Sequence, residues 1–428
     1  MGKLLITGAV AITVDKERRL VDDSAIVIEG DRIAFIGPRD QWSDTGDSTD
    51  SIDASGMAAL PGLIDCHAHA GHGLIKSLGT DLGDSWNHAC AEIYAKHSDR
   101  HFWRAEAALA SLERLKFGVT CGVSLLGGGN DVYRSDDVVY ASERADAVGR
   151  TGIRDVIALG PCAPPFPTEF GTNTGTHFEF QARTLDEQLQ TTAEAIETLH
   201  NTNEGRTQVA VVSPVVHPNT ASSQHRQEWE SQAMGAREIS RSTGVLFTQD
   251  GHRNGSIAYT HERLGLLGPD VLLSHCVNLT QHEIELIAES DTKIAHNPSA
   301  IASIVGRCPA PELIDAGATV AIGSDATAPD RSADLIRHVQ QCMHYHRRHF
   351  EDPSVLPPGK ALEMITIDAA RALGRSADLG SLEVGKKADV VLVDLKKPHT
   401  YPPAMPLYRV VYFANGSDVD TVIVDGII

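Results

Sequence analysis

Residues 61–69 read PGLIDCHAH. An apolar β-type run is followed at once by histidines at 67 and 69. In an extended chain residues i and i+2 share a face, so both imidazoles point the same way. At the rise of a strand they stand about 6–7 Å apart, close enough to converge on one divalent ion. A buried strand end with two unpaired imidazoles would be costly, which argues against a merely structural pair.

Outward from this stretch, eight β-type runs recur: Ala58–His69, Val119–Leu126, Arg154–Gly160, Val209–Val212, Val245–Gln249, Val271–His275, Lys293–His296 and Val320–Asp325. Helical patterns intervene, among them Leu185–His200, Arg226–Thr243, Gln281–Ser290 and Pro311–Ala316. Eight βα units over roughly 300 residues fit a (β/α)8 barrel with insertions better than an open sheet. Chemistry in such barrels gathers at the C-terminal strand ends. Here strands one, five, six, seven and eight end in His69, Gln249, His275, His296 and Asp325. The other β-rich runs lie at the two ends of the chain, where they can pair with each other. The expected organisation is a barrel over residues 58–375 and a composite β-sandwich from 1–57 and 376–428.

The chain has 428 residues and a formal net charge of −20, which would repel phosphate backbones and anionic membranes. Nucleic acid and membrane partners are therefore not expected. No stretch reaches the roughly 18 apolar residues of a membrane helix. The N-terminal apolar run is broken by Thr7 and Asp15 and carries no secretion-type cleavage pattern. Its seven cysteines are odd in number, scattered and without a CxxC pair, so a disulfide framework is not expected. These features point to a cytoplasmic protein.

Two further strand ends carry chemistry: LLSHC (272–276) and AIGSD (321–325). A carboxylate at such a position can hold metal and take a proton from water. Together with PGLIDCHAH, with ERLKFGVT (113–120), LLGPDVLLSHCVNLTQHEIELIA (266–288), IAHNPSA (294–300), ELIDAGATVAIGSDA (312–326), GSLEVGKKADVVLVD (380–394) and VDTVIVDG (419–426), the chain resembles the amidohydrolase superfamily. The likeness is to its cytosine-deaminase-like and triazine-hydrolase-like (chlorohydrolase) branch. It implies an α/β fold, a distorted (β/α)8 TIM barrel with a small β-sandwich built from both terminal segments. It also implies one divalent ion, zinc first, with iron, manganese or cobalt as alternatives, and a homo-oligomer. In the family the HxH pair, a strand-five His and the strand-eight Asp hold the metal, and the strand-six His contacts the attacking water or the developing oxyanion. Relatives continue beyond a terminus like Ile428, so the C-terminal sheet is expected to be short or the chain to be trimmed.

Strand five departs from that pattern. Relatives read HxxE there, the Glu passing a proton to the leaving group or ring nitrogen. Aligned by strand end and by spacing to His275, this chain reads Gln249-Asp250-Gly251-His252. The expected metal set is thus His67, His69, Gln249 and Asp325, and the expected catalytic set is His275, Asp325 and His252. Alternatively, strand five supplies no ligand and His275 or water completes the shell. Strand four ends in VAVVSP, with no lysine to bridge two metals, so one ion is expected.

His217, after strand four, and Asn297, in HNPS after strand seven, are expected to line the substrate site. Asp330-Arg331 can orient loops or contact substrate. His338, Cys342 and His346 share one helical face, expected to be solvated or an interface. The expected activity is metal-dependent hydrolysis of a C–N bond in a small cyclic or heterocyclic substrate. Deamination of an aminated heterocycle is the second reading, and a metal-binding relative without turnover the third.

Overall fold

The structure is a computed structural model that describes residues 3–43, 49–78, 88, 90–127, 133–218, 225–300, 302–327 and 331–428. Strands β1 (Lys3–Ile12), β2 (Leu20–Glu29), β3 (Arg32–Pro38), β4 (Thr49–Asp53) and β5 (Met57–Pro61) come first. Next are β6 (Leu63–Asp65), β7 (Val119–Leu125), β8 (Arg154–Leu159), β9 (Thr168–Asn173) and β10 (Phe178–Arg183). The chain continues through β11 (Thr207–Pro214), β12 (Phe247–Asp250), β13 (Val271–Ser274), β14 (Lys293–His296) and β15 (Val320–Ile322). It ends with β16 (Val390–Asp394) and β17 (Val419–Ile423).

Two compact units form: Met1–Cys66 with Glu113–Cys121 and Ala333–Ile428, and His67–Leu112 with Gly122–Ser332. In the first, strands from both chain ends enter one seven-stranded sheet, ordered β17-β16-β5-β1-β2-β3 with β4 on β1. β1 serves two neighbours on one edge, β4 through Lys3–Thr7 and β5 through Val10–Ala11. The change of partner falls at register shifts around Gly8, whose φ of +85° a side chain would resist. The buried core of this sheet includes Ile6, Ile26, Ile28, Ile33, Val390, Leu392 and Ile423.

The strand expected at Ala58–His69 is in fact two. Met57–Pro61 pairs with β16 and β1, and the chain then breaks at Gly62 before β6. A Cβ on Gly62 would collide with the Thr120 side chain, so only glycine passes here. Asp65, within the motif, is spent on a buried ion pair with Arg114 at 3.2 Å.

The parallel barrel sheet runs β6-β7-β8-β11-β12-β13-β14-β15. The hydrogen-bonded registers from β8 to β15 are all parallel. Residues just past β6 continue the pairing: the Ala68 and Ala70 N–H groups donate to the Val123 and Leu125 carbonyls. The Asp325 N–H donates to the His67 carbonyl at 2.8 Å, joining the last strand end to the first. Capping boxes at Thr184/Glu187 and Thr280/Glu283 start two of the expected helices one residue before their apolar periodicity. The β9–β10 hairpin inserted before the first of these had no counterpart in the sequence reading.

His338, Cys342 and His346 lie on helix Leu335–Phe350, and all three are buried. The solvated or interface face expected for them is therefore corrected, since they are buried within the chain itself. None of the seven cysteines is in a disulfide, and all are buried.

Candidate metal centre

β12 ends in Thr248-Gln249-Asp250, and successive side chains on a strand face opposite ways. Asp250 faces the imidazoles. Its Oδ1 lies 3.3 Å from His67 Nε2 and 3.0 Å from His275 Nε2, and its Oδ2 lies 3.2 Å from His69 Nε2. Asp325 approaches the same three rings: Oδ1 is 3.2 Å from His69 Nε2, 3.6 Å from His67 Nε2 and 4.0 Å from His275 Nε2. All five side chains are buried.

Gln249 does not join this cluster, and the side chain that strand five turns to the imidazoles is Asp250. Its amide nitrogen donates to Ser213 Oγ and to the Pro214 carbonyl, both at 3.1 Å, and its Oε1 sits 3.3 Å from His252 Nε2. A one-residue slip on a strand exchanges the two faces entirely. Spacing to His275 does not fix the count to one residue, because the turn between strands varies in length.

His252 is likewise occupied, with Nδ1 2.9 Å from Ser256 Oγ and Nε2 on Gln249. Burial, and next the neighbouring His217, push its pKa down to about 3. Both of its ring nitrogens are thus engaged by neighbouring side chains. His217, half-buried beyond β11, is pushed down to about 4 by burial and by Arg253. Asn297 is buried beyond β14, and neither amide atom has a hydrogen-bond partner among the described residues. Asp330 lies outside the described residues. Arg331 places Nη1 3.3 Å from Asp325 Oδ2.

The backbone aims these groups. His275 and Asp325 adopt φ values of +66° and +61°, a region that non-glycine residues rarely enter. His69 Nδ1 lies 3.2 Å from the Gly127 carbonyl, which can only accept. That contact fixes a proton on Nδ1 and leaves Nε2 as the atom aimed at the carboxylates. Ser274 Oγ donates to Asp250 Oδ1 at 2.6 Å. His72, buried beside His69 with ring centroids 5.6 Å apart, is held neutral by burial first and then by His69.

Charge in the cluster is tightly balanced. Burial opposes protonation of His67 and His69, yet Asp250 and Asp325 outweigh it and raise them to about 8 and about 10. Burial likewise opposes ionisation of both carboxylates, and the facing imidazoles more than offset it, holding them well below the ordinary range. Two buried anions and converging imidazole nitrogens form a donor set that calls for positive charge and suits a divalent cation. The groups His67, His69, Asp325 and His67, Asp250, His275 each bring ligand atoms within 4.8 Å of one another.

Asp250, Ser274 and Arg331 in its contact with Asp325 are what sequence reasoning missed. The signal for Asp250 was its own charge. A carboxylate inside a buried parallel strand must meet cations or metal.

The model of the amidohydrolase family matches residues 243–428. A 5-methylthioadenosine/S-adenosylhomocysteine deaminase of Moorella thermoacetica is 30% identical over 435 residues, covering 100% of this chain and 94% of that protein. The chain belongs to the amidohydrolase family. As an amidohydrolase it is a hydrolase of non-peptide carbon–nitrogen bonds. Its fold is similar to that of an adenosine deaminase from Xanthomonas campestris with bound zinc, with TM-score 0.81 and 23% identity over 99% of this chain and 92% of the other. It is also similar to the atrazine chlorohydrolase of Arthrobacter aurescens complexed with zinc, with TM-score 0.80 and 23% identity over 99% and 94%. No helix among the described residues of this amidohydrolase is long and apolar enough to cross a membrane.

Proposed function

We propose that this amidohydrolase cleaves a C–N bond exocyclic to, or within, a small nitrogen heterocycle, with one divalent ion held by His67, His69, Asp250 and Asp325. The observation that carries the reading is the pair of buried carboxylates, Asp250 and Asp325, facing a common set of imidazoles. When bound, the ion supplies Lewis acidity and lowers the pKa of water.

The remaining work falls to the chain. Asp325 Oδ1 faces the imidazoles and is placed to take the proton of the attacking water. Arg331 holds its other oxygen and so fixes the direction in which Oδ1 is presented. His275 Nε2, between the two carboxylates, orients the attacking oxygen. The residue three beyond Asp250 is Arg253, exposed, and His252 is engaged and neutral, so neither replaces the glutamate of HxxE. Asp325 then returns its proton to the departing nitrogen. Asn297, buried with its amide unpaired, supplies a donor and an acceptor for a polar heterocycle edge, and His217, beyond β11, is a neutral substrate-side residue.

Deamination of an adenosine-type ring is the second reading, favoured by the full-length likeness to a nucleoside deaminase. Seven buried cysteines outside any disulfide accord with a reducing, cytoplasmic setting. Turnover assays with added divalent ion across aminopurine nucleosides, aminotriazines and cyclic amides and ureas, scored for ammonia and for ring-opened product, test both. Product from any class supports C–N hydrolysis, and ammonia from the nucleosides selects the second reading. Metal-loaded protein inert toward all of them contradicts it.

A further inference from the structure

Resting on the metal-dependent reading above, we propose that Asp250, locked by Ser274, sets which ion this centre takes, turning it away from zinc and toward manganese(II) or iron(II). Asp250 differs from an ordinary buried structural aspartate. Among the described residues its ion-pair partners are all imidazoles, and both of its oxygens are turned to them. It stands where an imidazole ligand of the resembled family is expected, and so replaces a neutral nitrogen donor by an anionic oxygen.

Ser274 makes that oxygen a fixed donor. Its hydroxyl lies 3.4 Å from the Gly251 N–H, which can only donate, and 2.6 Å from Asp250 Oδ1, which can only accept. The hydroxyl proton is thereby directed at the carboxylate. The neighbouring His252 N–H donates to the Ser274 carbonyl at 3.2 Å, so the serine backbone is held against the same turn. An outer partner of this kind orients a ligand and tunes its affinity for metal.

The donor set favours manganese(II) or iron(II). Two carboxylates balance the formal charge of a dication, and oxygen-rich sets mixed with imidazole suit these ions.

The test is competition of metal-free full-length protein against a chromophoric chelator, for zinc, for manganese and, without oxygen, for iron(II). Asp250→His should raise the zinc-to-manganese affinity ratio by about tenfold or more, because it restores a nitrogen donor and removes a charge. Asp250→Asn keeps the shape without the charge and should weaken manganese more than zinc. Ser274→Ala should weaken manganese by about 10–100-fold. Identical zinc-to-manganese ratios in the unaltered protein and both Asp250 variants would overturn the assignment while leaving a metal-dependent enzyme. Failure of the unaltered protein to bind any of the three ions would instead overturn the reading on which it rests.

Discussion

The N–H of Asp325 donates a 2.8 Å hydrogen bond to the carbonyl of His67. Main chain, rather than side chain alone, thus ties the carboxylate after β15 to the first imidazole after β6. The two groups keep their separation through the barrel backbone, so substituting either side chain should leave the framework standing.

His67→Ala or His69→Ala should therefore lose bound ion and turnover together while the far-ultraviolet spectrum is unchanged. Loss of an outer partner already costs about 10–100-fold in metal affinity, and loss of a ligand should cost at least that. Elemental analysis of the purified variants checks it, and full metal content in either would remove that histidine from the centre.

Asp325→Asn keeps an oxygen toward the imidazoles and removes the base. The expected outcome is retained ion with turnover reduced about 10²–10⁴-fold, the usual worth of general acid–base catalysis. A rate within a few-fold of the unaltered protein would show that Asp325 moves no proton.

Gly323 gives His67 its space. A Cβ at residue 323 would lie 2.7 Å from both the Cβ and the carbonyl oxygen of His67, and 2.5 Å from Asn297 Oδ1. Gly323→Ala should cost about 1–3 kcal/mol of stability, as overpacking does, and should weaken metal binding because His67 must move. Thermal unfolding and metal titration read the two effects separately. An unshifted midpoint with unchanged affinity would mean the strand end yields freely.

How much of this was legible in the sequence depended on whether a residue acts through its own spacing or through its neighbours. His67 and His69 declare themselves because two residues of extended chain put them on one face. Asp325 does so because it ends a β-run. Asp250 was hidden by one position of register: the motif was legible, but the face was not, since nothing local marks where β12 stops. Gly62 hid a boundary in the same way. The run 58–69 is uniformly β-prone, and only the tertiary approach of Thr120 forces the break that sends its halves to different sheets. The β9–β10 hairpin carries Thr and Phe but sits among prolines and glycines, so its pairing comes from residues across the hairpin rather than from periodicity.

Asp418 supplies a pH signature remote from the metal. Burial of its carboxyl is outweighed by hydrogen bonds from His399, Lys397 and the Asn415 N–H, and its pKa is lowered. A pKa lower in the folded than in the unfolded chain gives stability that is complete above the unfolded value, about 3.9, and is lost as pH falls through the folded one. Asp418→Asn should cost about 1–3 kcal/mol at pH 7, as hydrogen bonds to charged groups do, and progressively less below about pH 4. Denaturant unfolding of both proteins from pH 7 to pH 3 checks it, and a pH-independent difference would contradict the assignment.

The most direct measurement is metal stoichiometry by elemental analysis for three proteins prepared side by side: unaltered, Gln249→Met and Asp250→Ala. If strand five presents Asp250 to the ion and Gln249 to Ser213 and Pro214, the first two hold one ion per chain and the third holds essentially none. An empty Gln249→Met protein beside a fully loaded Asp250→Ala protein would contradict that face assignment, and with it the donor set on which the proposed chemistry stands.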